Sequence, residues 1–352
     1  MFPKSICVFL RDENNRLIIP QVTLHSIFLN IVILSRVIIL NFSSSWIFSD
    51  IISIMRQKCG FILCLLLLCL TACGSTTGSN ASNSASTSPS KYIDNKGSDT
   101  IVNLALAWAE RYQTIRPDVQ ISVTGGGSGT GLTALVNRSV DIANASRQIK
   151  PEEMDAAKKE GLNPQEFIIA RDAIAVIVNP ENPVDHLTLT QLSAIYRGEI
   201  TNWKEVGGED RPIVCLSRET NSGTHVFFLE TVIRLGSKED KTIFSANTLL
   251  LPSSEGIISE VRENPNAIGY DGLGYVTADV KMLAISSLKT PDVFVIPSAA
   301  TVADNSYLIS RNLYMYTPDV PTGEVKAYLD WIMSPEAQKI VKDLGFVPIV
   351  GN

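Results

Sequence analysis

Beyond residue 73 this chain has a single cysteine, Cys215; the other five, Cys7, Cys59, Cys64, Cys69 and Cys73, all come earlier. An internal disulfide is therefore excluded from the greater part of the sequence. Histidine is also scarce. His25, His186 and His225 lie far apart, so no metal-ligand spacing and no histidine–carboxylate catalytic grouping can be read. There is no excess of positive charge: the formal net charge is -6. That argues against a nucleic-acid partner, which needs a basic face. It also provides no broad field for anions, so any anion must be held by donors aimed at it. What remains is globular composition, 45% hydrophobic and 19% charged over 352 residues, long enough for two domains. Cys215, in the apolar run Ile213-Val214-Cys215-Leu216, reads as a small buried strand residue.

The first ninety residues read as an address. Met55-Arg56-Gln57-Lys58 is a short basic start, and residues 61–70 form an apolar run too short to span a bilayer comfortably. Leu70-Thr71-Ala72-Cys73-Gly74 follows and resembles the lipobox of bacterial lipoproteins, in which the cysteine is lipidated. Residues 55–73 are thus expected to be a signal peptide ending at Cys73. Residues 74–90 hold seven serines, no charge and no aromatic residue. Such a stretch cannot bury enough surface to fold and reads as a tether with a reach of about 23 Å. Residues 1–54 carry a second, interrupted apolar stretch. They are expected to be a spurious extension upstream of a true start at Met55, the alternative being a membrane-spanning extension.

From residue 91 on, strands and helices alternate. Helical spacing marks 101–112, 131–137, 151–159, 189–196, 226–235, 324–333 and 336–344, whereas 119–124, 173–178, 213–216 and 268–270 read as strands. Repeated strand–turn–helix units imply an α/β architecture, with ligand sites at the carboxyl ends of strands. Three turns stand out: Gly97-Ser98-Asp99-Thr100, the glycine-rich run 125–131, and Asn221-Ser222-Gly223-Thr224. Each precedes a helical segment. A helix start offers unpaired backbone N–H groups and a partial positive charge, and glycine lets the backbone approach closely. Three such starts, each with hydroxyls, suit one tetrahedral oxyanion.

Other readings of the glycine run fail on residues. A Walker A loop needs lysine where Leu132 stands. G-x-G-x-x-G matches in no register, and G-x-S-x-G around Ser128 ends on Thr130. Arg218, ahead of the third turn, either grips two oxyanion oxygens bidentately or makes a surface ion pair. Arg147 either supplies a second positive contact or faces solvent. Two of the turns precede a middle block, 174–270, and the third lies within it. That points to two lobes, 91–173 with 271–352 and 174–270. The chain would cross between them near Arg171-Asp172-Ala173 and Gly269-Tyr270-Asp271.

In order and spacing these segments resemble the PstS-like phosphate-binding proteins, the substrate-binding lipoproteins of phosphate ABC transporters. The resemblance runs over nearly all of 91–350. It rests on the three turns together with Val140-Asp141-Ile142-Ala143-Asn144-Ala145-Ser146-Arg147, the segment 195–203 ending in Ile200-Thr201-Asn202-Trp203, Ser217-Arg218-Glu219-Thr220, and Ala267-Ile268-Gly269-Tyr270. It implies a two-lobed periplasmic binding protein fold of type II, with two crossover strands and phosphate in the inter-lobe cleft. Carried over, the ligand contacts are Ser98, Asp99 and Thr100; Ser128; and Arg218, Ser222, Gly223 and Thr224, while Trp203 is a buried anchor. Arg147 joins the expected contacts on its own position beside Ser146, not by the resemblance. The best-known members carry an aspartate after the Ala-Ser pair, which accepts the anion's proton and so selects phosphate over sulfate. Here Arg147 stands there, which leaves Asp99 and Asp172 as candidate acceptors; if neither faces the ligand, sulfate should be rejected less well.

The expected function is that of a monomeric, lipid-anchored receptor on the extracytoplasmic or periplasmic side of the cell membrane. It would deliver inorganic phosphate to an ABC transporter permease, without cofactor, metal or catalysis. The rivals are another tetrahedral oxyanion (sulfate, molybdate or tungstate), a phosphohydrolase with Ser128 or Ser222 as nucleophile, and a sensory or adhesion role for the same domain.

Overall fold

The computed structural model describes residues 91–349; the expected extension 1–54, signal peptide 55–73 with Cys73, and tether 74–90 lie outside them. In chain order, β1 (Lys91–Gly97) leads into α1 (Asp99–Ile115), and β2 (Val119–Thr124) into α2 (Ser128–Val136). Then come β3 (Ile142–Ala145), α3 (Pro151–Lys159), β4 (Gln165–Val178), β5 (His186–Thr188) and α4 (Leu189–Arg197). β6 (Val214–Arg218) leads into α5 (Gly223–Phe228), which widens into a π-helical turn over Leu229–Ile233. β7 (Leu249–Leu251), α6 (Ser254–Glu263) and β8 (Ala267–Gly272) follow. After the short strands β9 (Lys281–Met282), β10 (Ala284–Ser286) and β11 (Phe294–Val295) come α7 (Ala299–Ala303), β12 (Ser310–Thr317), α8 (Gly323–Ile332) and α9 (Pro335–Asp343).

Local chemistry explains the clearest boundaries. α3 has proline in its first turn beside Glu152 and Glu153, with Lys158 and Lys159 at its end, complementing the helix dipole at both ends. α1 buries Ile101, Leu104, Ala105, Trp108, Ala109 and Tyr112, an i, i+3, i+4, i+7 stripe against the sheet. The Trp108 indole N–H is satisfied at depth by the carbonyl of Ala337, 2.9 Å away.

The apolar residues gather into two main cores. One is built around Trp108, Tyr112, Leu313 and Tyr328, the other around Tyr196, Trp203, Phe228 and Tyr270. β4 serves both: Ile169 and Ala170 belong to the first, Ala173, Ile174 and Val176 to the second. Around the first core the strand order is β2-β1-β3-β12-β4, and around the second β4-β8-β6-β7. β1 runs parallel to β2 and β3, whereas β12 is antiparallel to both β3 and β4. The result is the mixed α/β, two-lobed architecture expected, with β4 as one crossing strand.

The return crossing is not where the sequence placed it. Tyr270 lies inside the second core, and the chain stays with that core after residue 271: Leu283, Ile285, Val302, Tyr307 and Ile309 pack there too. β9 pairs with the end of β4, and β10 pairs with β5. The chain leaves at Ile309, where β12 begins, with Ser310 opposite Ala173 and Arg311 opposite Asp172. The expected limit at 271 therefore moves to about 309. The two crossing segments are antiparallel neighbours, so Asp172 and Arg311 face each other on the connection between the lobes.

Candidate anion-binding site

The turns after β1, β2 and β6 come from the carboxyl ends of parallel strands, two on the first lobe and one on the second. The fold brings them into direct contact. Gly127 N–H donates to the carbonyl of Gly97 (2.9 Å), tying the first turn to the second. Gly129 N–H donates to the carbonyl of Asn221 (3.0 Å), and the Asn221 side-chain amide donates to the carbonyl of Gly126 (2.9 Å), tying the second to the third. The Thr100 and Thr224 hydroxyls lie 2.8 Å apart, joining the first to the third. Gly127 needs its glycine twice over: its φ is +91°, and a Cβ there would sit 2.9 Å from the Asn221 carbonyl oxygen. A Cβ on Gly223 would stand 2.3 Å from Ser128 Oγ and 2.5 Å from Ser146 Oγ. Ser98, Thr100, Ser128, Ser222 and Thr224 are all buried. The Ser98 side chain, at the N-cap of α1, makes no capping hydrogen bond, whereas Ser222 caps α5 by accepting from Thr224 N–H at 3.2 Å.

Arg218 is fully buried and joins the lobes. Its Nη2 donates to Asp99 Oδ2 (2.6 Å) and to the carbonyl of Pro252 (2.8 Å); Nη1 donates to Ser254 Oγ (2.8 Å) and stands 3.6 Å from Asp271. Its Nε has no partner. The surface ion pair considered for Arg218 is thereby replaced by a buried one, with part of its fork occupied by protein groups. Asp99 is held on both oxygens, the other accepting Gly126 N–H at 2.8 Å.

Sequence reasoning missed Arg311. The residue is buried, and its Nη2 lies within hydrogen-bond reach of Asp172 Oδ2 (3.0 Å), Thr224 Oγ1 (3.0 Å) and Thr100 Oγ1 (3.3 Å). Its Nη1 donates to the carbonyl of Ser146 at 3.0 Å. One guanidinium thus touches elements of both lobes. Ser146 was missed as a site residue as well: its N–H donates to Ser128 Oγ at 3.0 Å, and its hydroxyl is 3.3 Å from the same atom.

Arg147 is paired with a carboxylate outside the three turns. Its Nη1 and Nη2 donate to the two oxygens of Glu153 at 2.8 and 2.7 Å, and Nη1 also to the carbonyl of Gln148. It makes no hydrogen bond to any of the three turns. The cause is local: Glu153 is the third residue of α3 and also accepts the Lys150 N–H, so a carboxylate waits one turn away for whatever cation follows Ser146. Burial works against ionisation of Glu153, but Arg147 and that N–H hold its carboxyl below the ordinary range.

The charges around the turns do not sum to a positive pocket. Arg218 and Arg311 are matched by Asp99, Asp172 and Asp271. Burial pushes the Asp172 carboxyl up to about 6, with Arg311 pulling the other way, and pushes that of Asp271 up against the pull of Arg218. The hold on an anion has to come from directed N–H and O–H donors, as in neutral-dipole recognition. Among the described residues there is no cluster of histidine, cysteine and carboxylates that could bind a metal. No helix of the described residues is long and apolar enough to cross a membrane.

Two lobes joined by a pair of crossing strands, with helix N-termini meeting between them, define a substrate-binding protein of the two-lobed class. The profile of the PBP superfamily domain matches residues 82–336. The Pseudomonas aeruginosa phosphate-binding protein PstS is 31% identical over 274 residues, covering 73% of this chain and 83% of the relative. The Bacillus subtilis phosphate-binding protein PstS is 33% identical over 258 residues, covering 72% and 79%. A Clostridium perfringens structure with bound phosphate, described as that of a substrate-binding protein of a phosphate ABC transporter, is 34% identical. It superimposes with a TM-score of 0.66 over 74% of this chain and all of that one. The chain belongs to the PstS family within the PBP superfamily.

Proposed function

We propose that this protein binds inorganic phosphate between its lobes and delivers it, unaltered, to the permease of an ABC transporter. The observation that carries this reading is the meeting of three strand-to-helix turns, from two lobes, around buried hydroxyls and two guanidiniums. The relatives named phosphate-binding proteins, and the similar fold with phosphate bound, support it. The ligand contacts we assign are Ser98, Thr100, Ser128, Arg218, Ser222, Gly223 and Thr224, with Arg311 added and Arg147 removed. Between the two candidate proton acceptors we choose Asp99, a residue of the first turn that accepts from Gly126 of the second and from Arg218 ahead of the third; Asp172 is the counter-charge of Arg311. A carboxylate facing a protonated phosphate oxygen accepts a hydrogen bond, while facing sulfate it meets like charge. Cys73 would anchor the chain by a lipid at the extracytoplasmic face, the lobes would be 91–172 with 310–349 and 173–309, and the protein would act as a monomer.

Calorimetric titration with phosphate and sulfate in parallel tests the reading. Saturable 1:1 phosphate binding is expected, with sulfate at least about 10-fold weaker, a difference of about 1.4 kcal/mol. Equal binding of both removes Asp99 as the selecting group, and no phosphate binding removes the function. Gly223→Ala gives a second check. Its methyl would run into Ser128 and Ser146, so the lobes could not meet, at an overpacking cost of about 1–3 kcal/mol. Phosphate affinity is expected to fall about 5- to 150-fold. Unchanged affinity would show that the lobe contact at Gly223 is not part of binding.

A further inference from the structure

Beside the three turns lies a cavity of about 480 Å³ that the site as described does not use. The first lobe lines it with Arg147, Lys150, Arg311 and Tyr314; the second with Phe227, Glu230 and Lys238. Its inner end is Arg311, the same guanidinium that touches Thr100 and Thr224. Phe227 lies against that guanidinium, its ring centroid 5.6 Å from Cζ, and fixes its orientation from the cavity side. Arg147, which also lines the cavity and is nine-tenths buried, keeps an Nε with no hydrogen-bond partner.

The charges of the lining fall into paired and unpaired groups. Arg147 and Arg311 are balanced by Glu153 and Asp172. Lys150 and Lys238 are in no ion pair among the described residues, and Lys238 is exposed. Glu230, exposed, is the one carboxylate in the lining. A net-acidic protein repels an anion at a distance, so an anion-specific route in needs a local positive stretch. This cavity has one, built from both lobes, and it ends on a residue already in contact with the turns.

We propose that the cavity is the vestibule through which phosphate enters, with Lys150 and Lys238 as steering residues. The inference rests on the phosphate reading above. It concerns the rate of capture, since neither lysine contacts the three turns. Steering of this kind accelerates encounter and fades as salt screens it, because the Debye length falls from about 30 Å at 0.01 M to about 3 Å at 1 M.

Stopped-flow binding of inorganic phosphate to the full chain, at low and at high ionic strength, tests it. For Lys150→Gln/Lys238→Gln the association rate at low salt is expected to fall about 3- to 10-fold, with the dissociation rate unchanged and the difference gone at high salt. Glu230→Gln should shift the rate the opposite way. An association rate equal to that of the unaltered protein at low salt, or an equal slowing at both salts, overturns the vestibule. If the unaltered protein captures no phosphate at all, the functional reading falls first and takes the vestibule with it.

Discussion

Replacing Arg218 with alanine is expected to raise the dissociation constant for phosphate by about 30- to 5,000-fold, the equivalent of about 2–5 kcal/mol. The reason is more than a lost ligand contact. Arg218 is the cation between Asp99 on the first lobe and Asp271 on the second, and both carboxylates lose that partner without it. Removing one partner of a buried charged group leaves the other uncompensated, so the melting temperature should fall as well. Arg218→Lys separates the two effects. It keeps the charge between the acids but loses the planar fork, so stability should largely return while affinity stays low. Calorimetry and thermal unfolding on the two variants check this; alanine titrating like the unaltered protein would take Arg218 out of the site.

The second large effect concerns the pair on the crossing strands. Arg311→Met leaves Asp172 buried without its cation and takes a donor from Thr100 and Thr224. A loss of about 3–5 kcal/mol of stability near neutral pH is expected. The double variant Asp172→Asn/Arg311→Met should lose less than Arg311→Met alone, because no bare charge remains. The pH dependence has a definite sign. Asp172 has a folded pKa of about 6, above its ordinary 3.8, so its ionisation opposes folding. Its contribution is most favourable below about 4, where both states hold the proton, and is lost as pH rises through about 6. Asp172→Asn should therefore flatten the stability profile between those values. Urea unfolding across that window reads the effect; profiles that coincide for Asp172→Asn and the unaltered protein would show that Asp172 is not raised.

The parts of the molecule that were legible in the sequence are those whose signals are local. Residues 151–159 carry proline, acids and lysines in helix order, and the structure has α3 over the same span. The three turns could be read because glycine and hydroxyl residues recur together ahead of three separate helical segments, and the fold brings all three together. Helices α1 and α2 begin earlier than apolar spacing indicated, at Asp99 and Ser128, because polar residues of a helix's first turn carry no periodicity. The pairings that unite the site are non-local. Arg311 meets Asp172 across 139 residues, and no spacing rule points from Ser310-Arg311-Asn312 to Arg171-Asp172-Ala173. An arginine in a strand also reads as a solvated side chain until its partner strand is known. The return crossing was misplaced for a related reason. Gly269-Tyr270-Asp271 has the small-and-apolar look of a crossing, but the Tyr270 ring is stacked 3.6 Å from that of Phe228 deep in the second core. Arg147 shows the reverse error: its position after Ser146 is right for the site, and a carboxylate six residues on takes its side chain away.

The proposed function depends on one arrangement, in which amides and hydroxyls from three separate turns hold a single anion. A crystal structure of the protein grown with phosphate tests it most directly. The prediction is one phosphate between the lobes, with oxygens in hydrogen-bond contact with groups from Ser98–Thr100, Ser128 and Ser222–Thr224 together. A phosphate bound at only one of these turns, or on the outer surface of a lobe, would contradict it.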